Sequence, residues 1–182
     1  TIYCQRGYYN TRSNRGHFVK NSRVDYNQRI LYGDSIYFDR PSGYASATNN
    51  IKLIDSTNNM VVRGHYAEVF KPQDSVYITN RALAISVQEQ DSIYIHADTL
   101  RVTGPSEQRV IRGFHDARMF KPGKSLADRT SGRCDSIIVS QDRGLTNMIG
   151  RSILWTGDQQ ITGDPIPLIQ DRVNNELDSL FV

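Results

Sequence analysis

Fifteen aspartates against four glutamates are the first chemistry this sequence offers. Seven of them open one short motif: Asp, then Ser, Thr or Pro, then an aliphatic residue. It occurs at Asp34-Ser35-Ile36, Asp74-Ser75-Val76, Asp91-Ser92-Ile93 and Asp98-Thr99-Leu100, and returns at Asp135-Ser136-Ile137, Asp164-Pro165-Ile166 and Asp178-Ser179-Leu180. Paired carboxylates do acid and base work in glycosidases and polysaccharide lyases. Catalytic carboxylates are usually unique in a chain, however, whereas these recur with a fixed neighbour. Turn formation is the better account, because Asp and Ser bond their own backbone. Among the histidines His17, His65, His96 and His115, only His96-Ala97-Asp98 has a ligand-like spacing, since i and i+2 share a strand face. Asp98 already belongs to the repeat, so no metal is assigned there. No HExxH, GxSxG, GxGxxG or phosphate-binding Gly-Lys-Ser/Thr loop occurs, and no catalytic residue and no cofactor are assigned. Cys4 and Cys134 form no Cys-x-x-Cys or Cys/His ligand spacing, which leaves both a disulfide and two free thiols open.

The elements that must carry these residues are β-strands. Forty of the 182 residues are β-branched (12 Val, 17 Ile and 11 Thr), with ten Tyr and six Phe beside them and only eight Ala. That composition excludes a helical bundle. No apolar run approaches the roughly 18 residues of a membrane-spanning helix, and the length suits one domain, residues 1–182, with a real core. After four of the aspartates the chain alternates cleanly, as in Ile36-Tyr37-Phe38, Val76-Tyr77-Ile78, Ile93-Tyr94-Ile95 and Ile137-Ile138-Val139. Residues at +2 and +4 from the Asp therefore share one apolar face. A longer repeat matches Val61-Val62-Arg63-Gly64 through Phe70-Lys71-Pro72 with Val110-Ile111-Arg112-Gly113 through Phe120-Lys121-Pro122. The one-residue slippage between the two blocks is what a β-bulge would absorb. His65 and His115 follow the two glycines one residue out of step, which repeat position explains better than catalysis.

Further turn signals fall at Pro41-Ser42-Gly43, Asn49-Asn50, Asn58-Asn59, Gly104-Pro105 and Gly157-Asp158. Their spacing predicts on the order of 14–18 strands of about 5–6 residues. Residues 123–133 read as a loop that interrupts the repeat, and Trp155 reads as core or rim. The +3 charge is uneven: residues 1–33 carry six Arg/Lys and one Asp, while the remainder carries 16 basic and 18 acidic groups. Six charges spread over that span make no dense run, so a solvated strand edge accounts for them better than a nucleic-acid patch. The chain starts at Thr1 without a Met or leader, which reads as an excised or processed segment.

Taken in order, Gly33-Asp34-Ser35-Ile36-Tyr37-Phe38-Asp39, Gly43-Tyr44-Ala45 and Ile51-Lys52-Leu53-Ile54-Asp55 resemble the OstA-like family. That family includes LptA and the amino-terminal domain of LptD, of lipopolysaccharide export. Gly64-His65-Tyr66-Ala67, Ile95-His96-Ala97-Asp98-Thr99-Leu100 and Ile161-Thr162-Gly163-Asp164 continue the pattern, so the resemblance covers roughly residues 6–182. Pro165 departs from it and suggests a sheet edge at that point. The resemblance implies an all-β, folded-over antiparallel β-jellyroll with an apolar interior. It also implies a non-enzymatic role: a periplasmic protein, with outer-membrane association as an option, that binds lipopolysaccharide and shields its acyl chains. The implied partners are lipopolysaccharide, the other export components and further copies of the chain, joined end to end at edge strands; nucleic acid is not among them.

On that reading the inward residues are Ile36, Phe38, Val76, Ile78, Ile93, Ile95, Ile137 and Val139, with Arg6, Arg12 and Arg15 as weaker candidates for phosphorylated headgroups. Two alternatives from other classes stand beside it. One is a carbohydrate-active β-helix enzyme cutting acidic polysaccharide, which would need parallel coils of similar length. The motif spacings of 40, 17, 7, 37, 29 and 14 residues are too irregular for that. The other is a structural β module that pairs edge-on with a neighbour and protects no lipid. An open apolar trough supports a carrier; a filled core does not.

Overall fold

A computed structural model describes residues 1–26, 28–87, 92–105, 108–123, 125–140, 142–170 and 177–180. Among the described residues fifteen strands form one sheet. They are β1 (Ile2–Tyr3), β2 (Arg6–Asn10), β3 (Arg15–Tyr26), β4 (Arg29–Asp39), β5 (Tyr44–Asp55), β6 (Met60–Phe70), β7 (Ser75–Ser86) and β8 (Ile93–Thr103). There follow β9 (Val110–Lys121), β10 (Thr130–Ser140), β11 (Leu145–Ile149), β12 (Ser152–Thr156), β13 (Gln159–Gly163), β14 (Ile166–Gln170) and β15 (Leu177–Leu180). A short 3-10 turn, Lys71–Gln73, precedes β7. From β3 to β10 each strand pairs antiparallel with the next in sequence. A β-helix, whose neighbours run parallel, is thereby overturned. No described helix is long and apolar enough to cross a membrane.

The strand count falls within the predicted range, but the lengths do not, since β3 to β10 run 11–12 residues each. The reason is a crease through the middle of each. Four consecutive pairs of residues hold positive φ inside strands: Lys20-Asn21 in β3, Asn49-Asn50 in β5, Asn80-Arg81 in β7 and His115-Asp116 in β9. Opposite each pair the neighbouring strand contributes a single residue, so two residues face one as in a β-bulge. Those single residues are Asp34 against Lys20-Asn21, His65 against Asn49-Asn50, Asp98 against Asn80-Arg81 and Asp135 against His115-Asp116. Each bulge bends both strands, and because the bulges lie in one column, the whole sheet folds along it.

The crease continues to both ends. β11 and β12 pair with the two halves of β10 and are separated by Gly150-Arg151, again at positive φ. β13 and β14 are separated by Asp164-Pro165. β1 and β2 pair with the two halves of β3 and are separated by Cys4-Gln5. The residue before each corner is small: Cys4, Gly33, Gly64, Ala97, Cys134 and Gly163. Space explains this. A Cβ on Gly64 would lie 2.5 Å from Ile78 Cγ2 and 2.9 Å from the Thr79 carbonyl oxygen.

Several sequence expectations are corrected here. Asp34, Asp98 and Asp135 lie within strands at the crease, where a turn between strands was expected, and Asn49-Asn50 is likewise internal to β5. Each half-strand is about five residues, so a crease imitates a turn when only alternation is visible. Thr130–Arg133, expected in a loop, are the first residues of β10. Trp155, expected at core or rim, is at the rim: it lies on the outer face, 37% exposed, and donates its indole N–H to Gln160 Oε1 at 2.9 Å. Asp91 lies outside the described residues.

Candidate functional site

Folding the sheet gives two arms that face each other. The first arm holds residues 29–33, 51–55, 60–64, 82–86, 93–97, 117–121 and 130–134; the second holds 35–39, 44–48, 66–70, 75–79, 99–103, 110–114 and 136–140. Alternation turns one side of every half-strand inward, and the inward residues of both arms merge into one apolar core. Leu31, Leu53, Met60 and Ile95 come from the first arm, and Ile36, Ile78, Leu100 and Ile137 from the second.

The interior is not uniform. From β8 to β14 it is filled, with Leu100, Ile111, Met119, Met148, Leu154, Ile166 and Leu168 all buried against one another. Toward β1 it opens into an apolar cleft of about 810 Å³ between the arms. Ile2, Val24, Leu31 and Leu53 line it from the first arm; Ile36, Phe38, Ala45, Val69 and Val76 line it from the second. Arg29, Arg40 and Lys71 stand among the lining residues with Asp25 and Asp74, so the mouth carries both signs of charge. A trough and a filled core therefore coexist in one molecule.

The eight apolar candidates divide between these regions. Ile36, Phe38 and Val76 line the cleft. Ile78, Ile93, Ile95 and Ile137 are buried in the packed interior, and half-buried Val139 packs against it. The basic candidates all lie on the first hairpin: Arg6 on exposed β2, Arg12 in the turn, and Arg15 paired with Asp39 at 3.0 Å. None of the three lines the cleft. Alternation on one strand could not find Arg29, Arg40 and Lys71 as its cationic lining, because strand ends from two arms bring them together.

Beside the cleft, where Arg29 and Asp74 line it, four charged groups meet. Arg29 Nε lies 3.4 Å from Asp55 Oδ2, and Arg29 Nη1 donates to Asp74 Oδ1 at 2.9 Å. Arg109 Nη2 lies 3.3 Å from Asp55 Oδ2, and its Nη1 donates to Asp74 Oδ2 at 3.5 Å and to the Gly104 carbonyl. Asp55 and Arg109 are 2% and 1% exposed, whereas Asp74 is 42% exposed.

Elsewhere the polar chemistry is structural. Along the crease Asn50 donates to Asp34 Oδ2 at 2.8 Å. Arg151 pairs with Asp135 at 2.7 Å and holds that carboxyl below its usual range; Arg118 does the same to Asp116. On the outer face Tyr66 and Tyr44 both donate to Glu68 Oε1 at 2.8 Å, and the bond to Glu68 raises the Tyr66 phenol. Among the described residues no group of three or more His, Cys, Asp or Glu is arranged to hold a metal ion. Both cysteines are free thiols, Cys4 exposed and Cys134 buried. They occupy equivalent corner positions eight strands apart, roughly 40 Å at strand spacing, which no disulfide spans.

No protein-family model matches the chain, and no curated protein matches it in sequence. Solved structures do. One is LptH of Pseudomonas aeruginosa, described as the LptA-homologous periplasmic component of the conserved lipopolysaccharide transport device. The match covers 79% of this chain and 95% of that one, with a TM-score of 0.57 and 15% identity. The fold is thus that of an LptA-like protein, an all-β sheet folded over on itself.

Proposed function

We propose that this chain is a non-enzymatic lipid carrier of the periplasm, one domain that shields lipopolysaccharide acyl chains between its arms. The observation that carries the reading is the cleft: an open, apolar space of about 810 Å³ between two arms. The likeness to a periplasmic lipopolysaccharide-transport component supports the same reading. Carriage needs no catalytic group. Each methylene moved from water into such a space contributes about 0.8 kcal/mol, so ten give about 8 kcal/mol before ordering costs. Phosphorylated headgroups would sit at the mouth near Arg40 and Lys71, with Arg12 and Arg15 on the hairpin tip that bonds the Arg40 amide through Asn14.

A photo-crosslinking residue in place of Phe38 is expected to capture lipopolysaccharide, while one in place of Tyr37, on the outer face beside Tyr44, is not. Equal capture at both positions would overturn the assignment. The same reading extends to partners. β2 and β13 each pair with a single strand, leaving edges on which another export component or a second copy could add a strand. Light scattering across a concentration series tests self-association, and a monomer throughout would remove it.

A further inference from the structure

The four-membered charge ring beside the cleft joins the lips of the two arms, and its geometry is that of a fastener. Arg29 opens β4 and Asp55 closes β5, both at the lip of the first arm. Asp74 follows the 3-10 turn and Arg109 precedes β9, both at the lip of the second. Of the four ion pairs, Arg29–Asp74 and Arg109–Asp55 cross between arms, and Arg29–Asp55 and Arg109–Asp74 bind each side to itself. Arg29, Asp74 and Pro105 line the cleft.

The ring is also not fully hydrogen-bonded from within the protein. Arg109 Nε and Nη2 are buried without an aligned hydrogen-bond partner, although Nη2 lies within ion-pair distance of Asp55. A buried ion pair repays its desolvation only when its remaining donors are met. A permanent join between two apolar arms would be better made from apolar side chains. A charged join with one water-reachable member suits a contact that opens and recloses.

We propose that this ring is a latch on the open side of the fold. Closed, it holds the lips together beside the packed interior; open, it lets the lips part so that an acyl chain can displace packed side chains and advance between the arms toward β10. The inference rests on the lipid-carrier reading and adds regulation to it. Phe38 and Val139 test it well, because each lies four residues past a crease aspartate on the second arm, on opposite sides of the ring.

A photo-crosslinker would replace either residue, in the native chain and in an Asp55→Asn/Arg109→Gln chain, with detergent-dispersed deep-rough lipopolysaccharide as probe. Capture at Phe38 in both chains, with capture at Val139 rising severalfold in the double variant, supports the latch. Capture at Phe38 with Val139 unchanged overturns the latch and leaves the carrier standing. Capture at neither position overturns the carrier. Spin labels at Ser56→Cys and Gln108→Cys, in a Cys4→Ser background without lipid, then decide the latch alone: a wider lip distance in the double variant supports it and an unchanged one overturns it. Should the double variant fail to fold, Arg29→Gln/Asp74→Asn opens the more exposed crossing pair and is read the same way.

Discussion

Among single residues, Arg109 is the one whose loss should be felt most. Its guanidinium is 1% exposed and faces Asp55, itself 2% exposed, so Arg109→Ala leaves that buried carboxylate with Arg29 as its remaining ion-pair partner and Asn58 as its hydrogen-bond donor. With those partners kept, we expect a loss of about 2–3 kcal/mol in urea unfolding, and a smaller loss for Asp55→Leu/Arg109→Met, which removes both charges together. Cys134 makes a second residue-scale case. Burial pushes its thiol from the ordinary 9.0 up to about 11. The unfolded chain therefore ionises first as pH rises, so the contribution of the neutral thiol is complete below pH 9 and is lost between pH 9 and about 11. Unfolding free energies across that window should fall more steeply for the native chain than for Cys134→Ala. Iodoacetamide at pH 8 should modify exposed Cys4 and spare Cys134 until denaturant is added.

Within an element, the decisive feature is the crease. Asn50 holds φ of 51° and donates to Asp34, so Asn50→Ala should cost about 1–2 kcal/mol, whereas Asn50→Gly keeps the backbone and loses only the side-chain bond. Gly64→Ala meets both Ile78 and the Thr79 backbone and should cost about 1–3 kcal/mol. Gly132→Ala meets the flexible end of Met148 and should cost less; thermal melts of the two variants check the order. The same elements show what the sequence could disclose. Strand identity and inward phase were legible at Ile36, Val76 and Ile137, because alternation is a local property. The crease was not, because Asn49-Asn50 has the same composition whether it turns a chain back or bends a strand. Arg109 was beyond sequence reading altogether: its partners Asp55 and Asp74 stand 54 and 35 positions away and meet it only when the arms close.

For the whole molecule, nearest-neighbour pairing from β3 to β10 makes stability a sum over adjacent strands, as in repeat proteins. Amide hydrogen exchange should then be slowest in β5 to β9, flanked on both sides, and faster in β1, β2 and β13; uniform protection would contradict this picture. The corner residues Asp34, His65, Asp98, Asp135 and Asp164 follow one another at intervals of 31, 33, 37 and 29 residues, and each interval is one out-and-back pair of strands. Such a pair widens the sheet by roughly 10 Å along the crease and adds its own bend, its own small neighbour and its own inward face. Duplicating or deleting a pair in the interior would therefore lengthen or shorten the apolar interior without retuning the rest. Reach becomes a quantity that evolution, or an engineer, sets in whole steps by copying about thirty residues of gene.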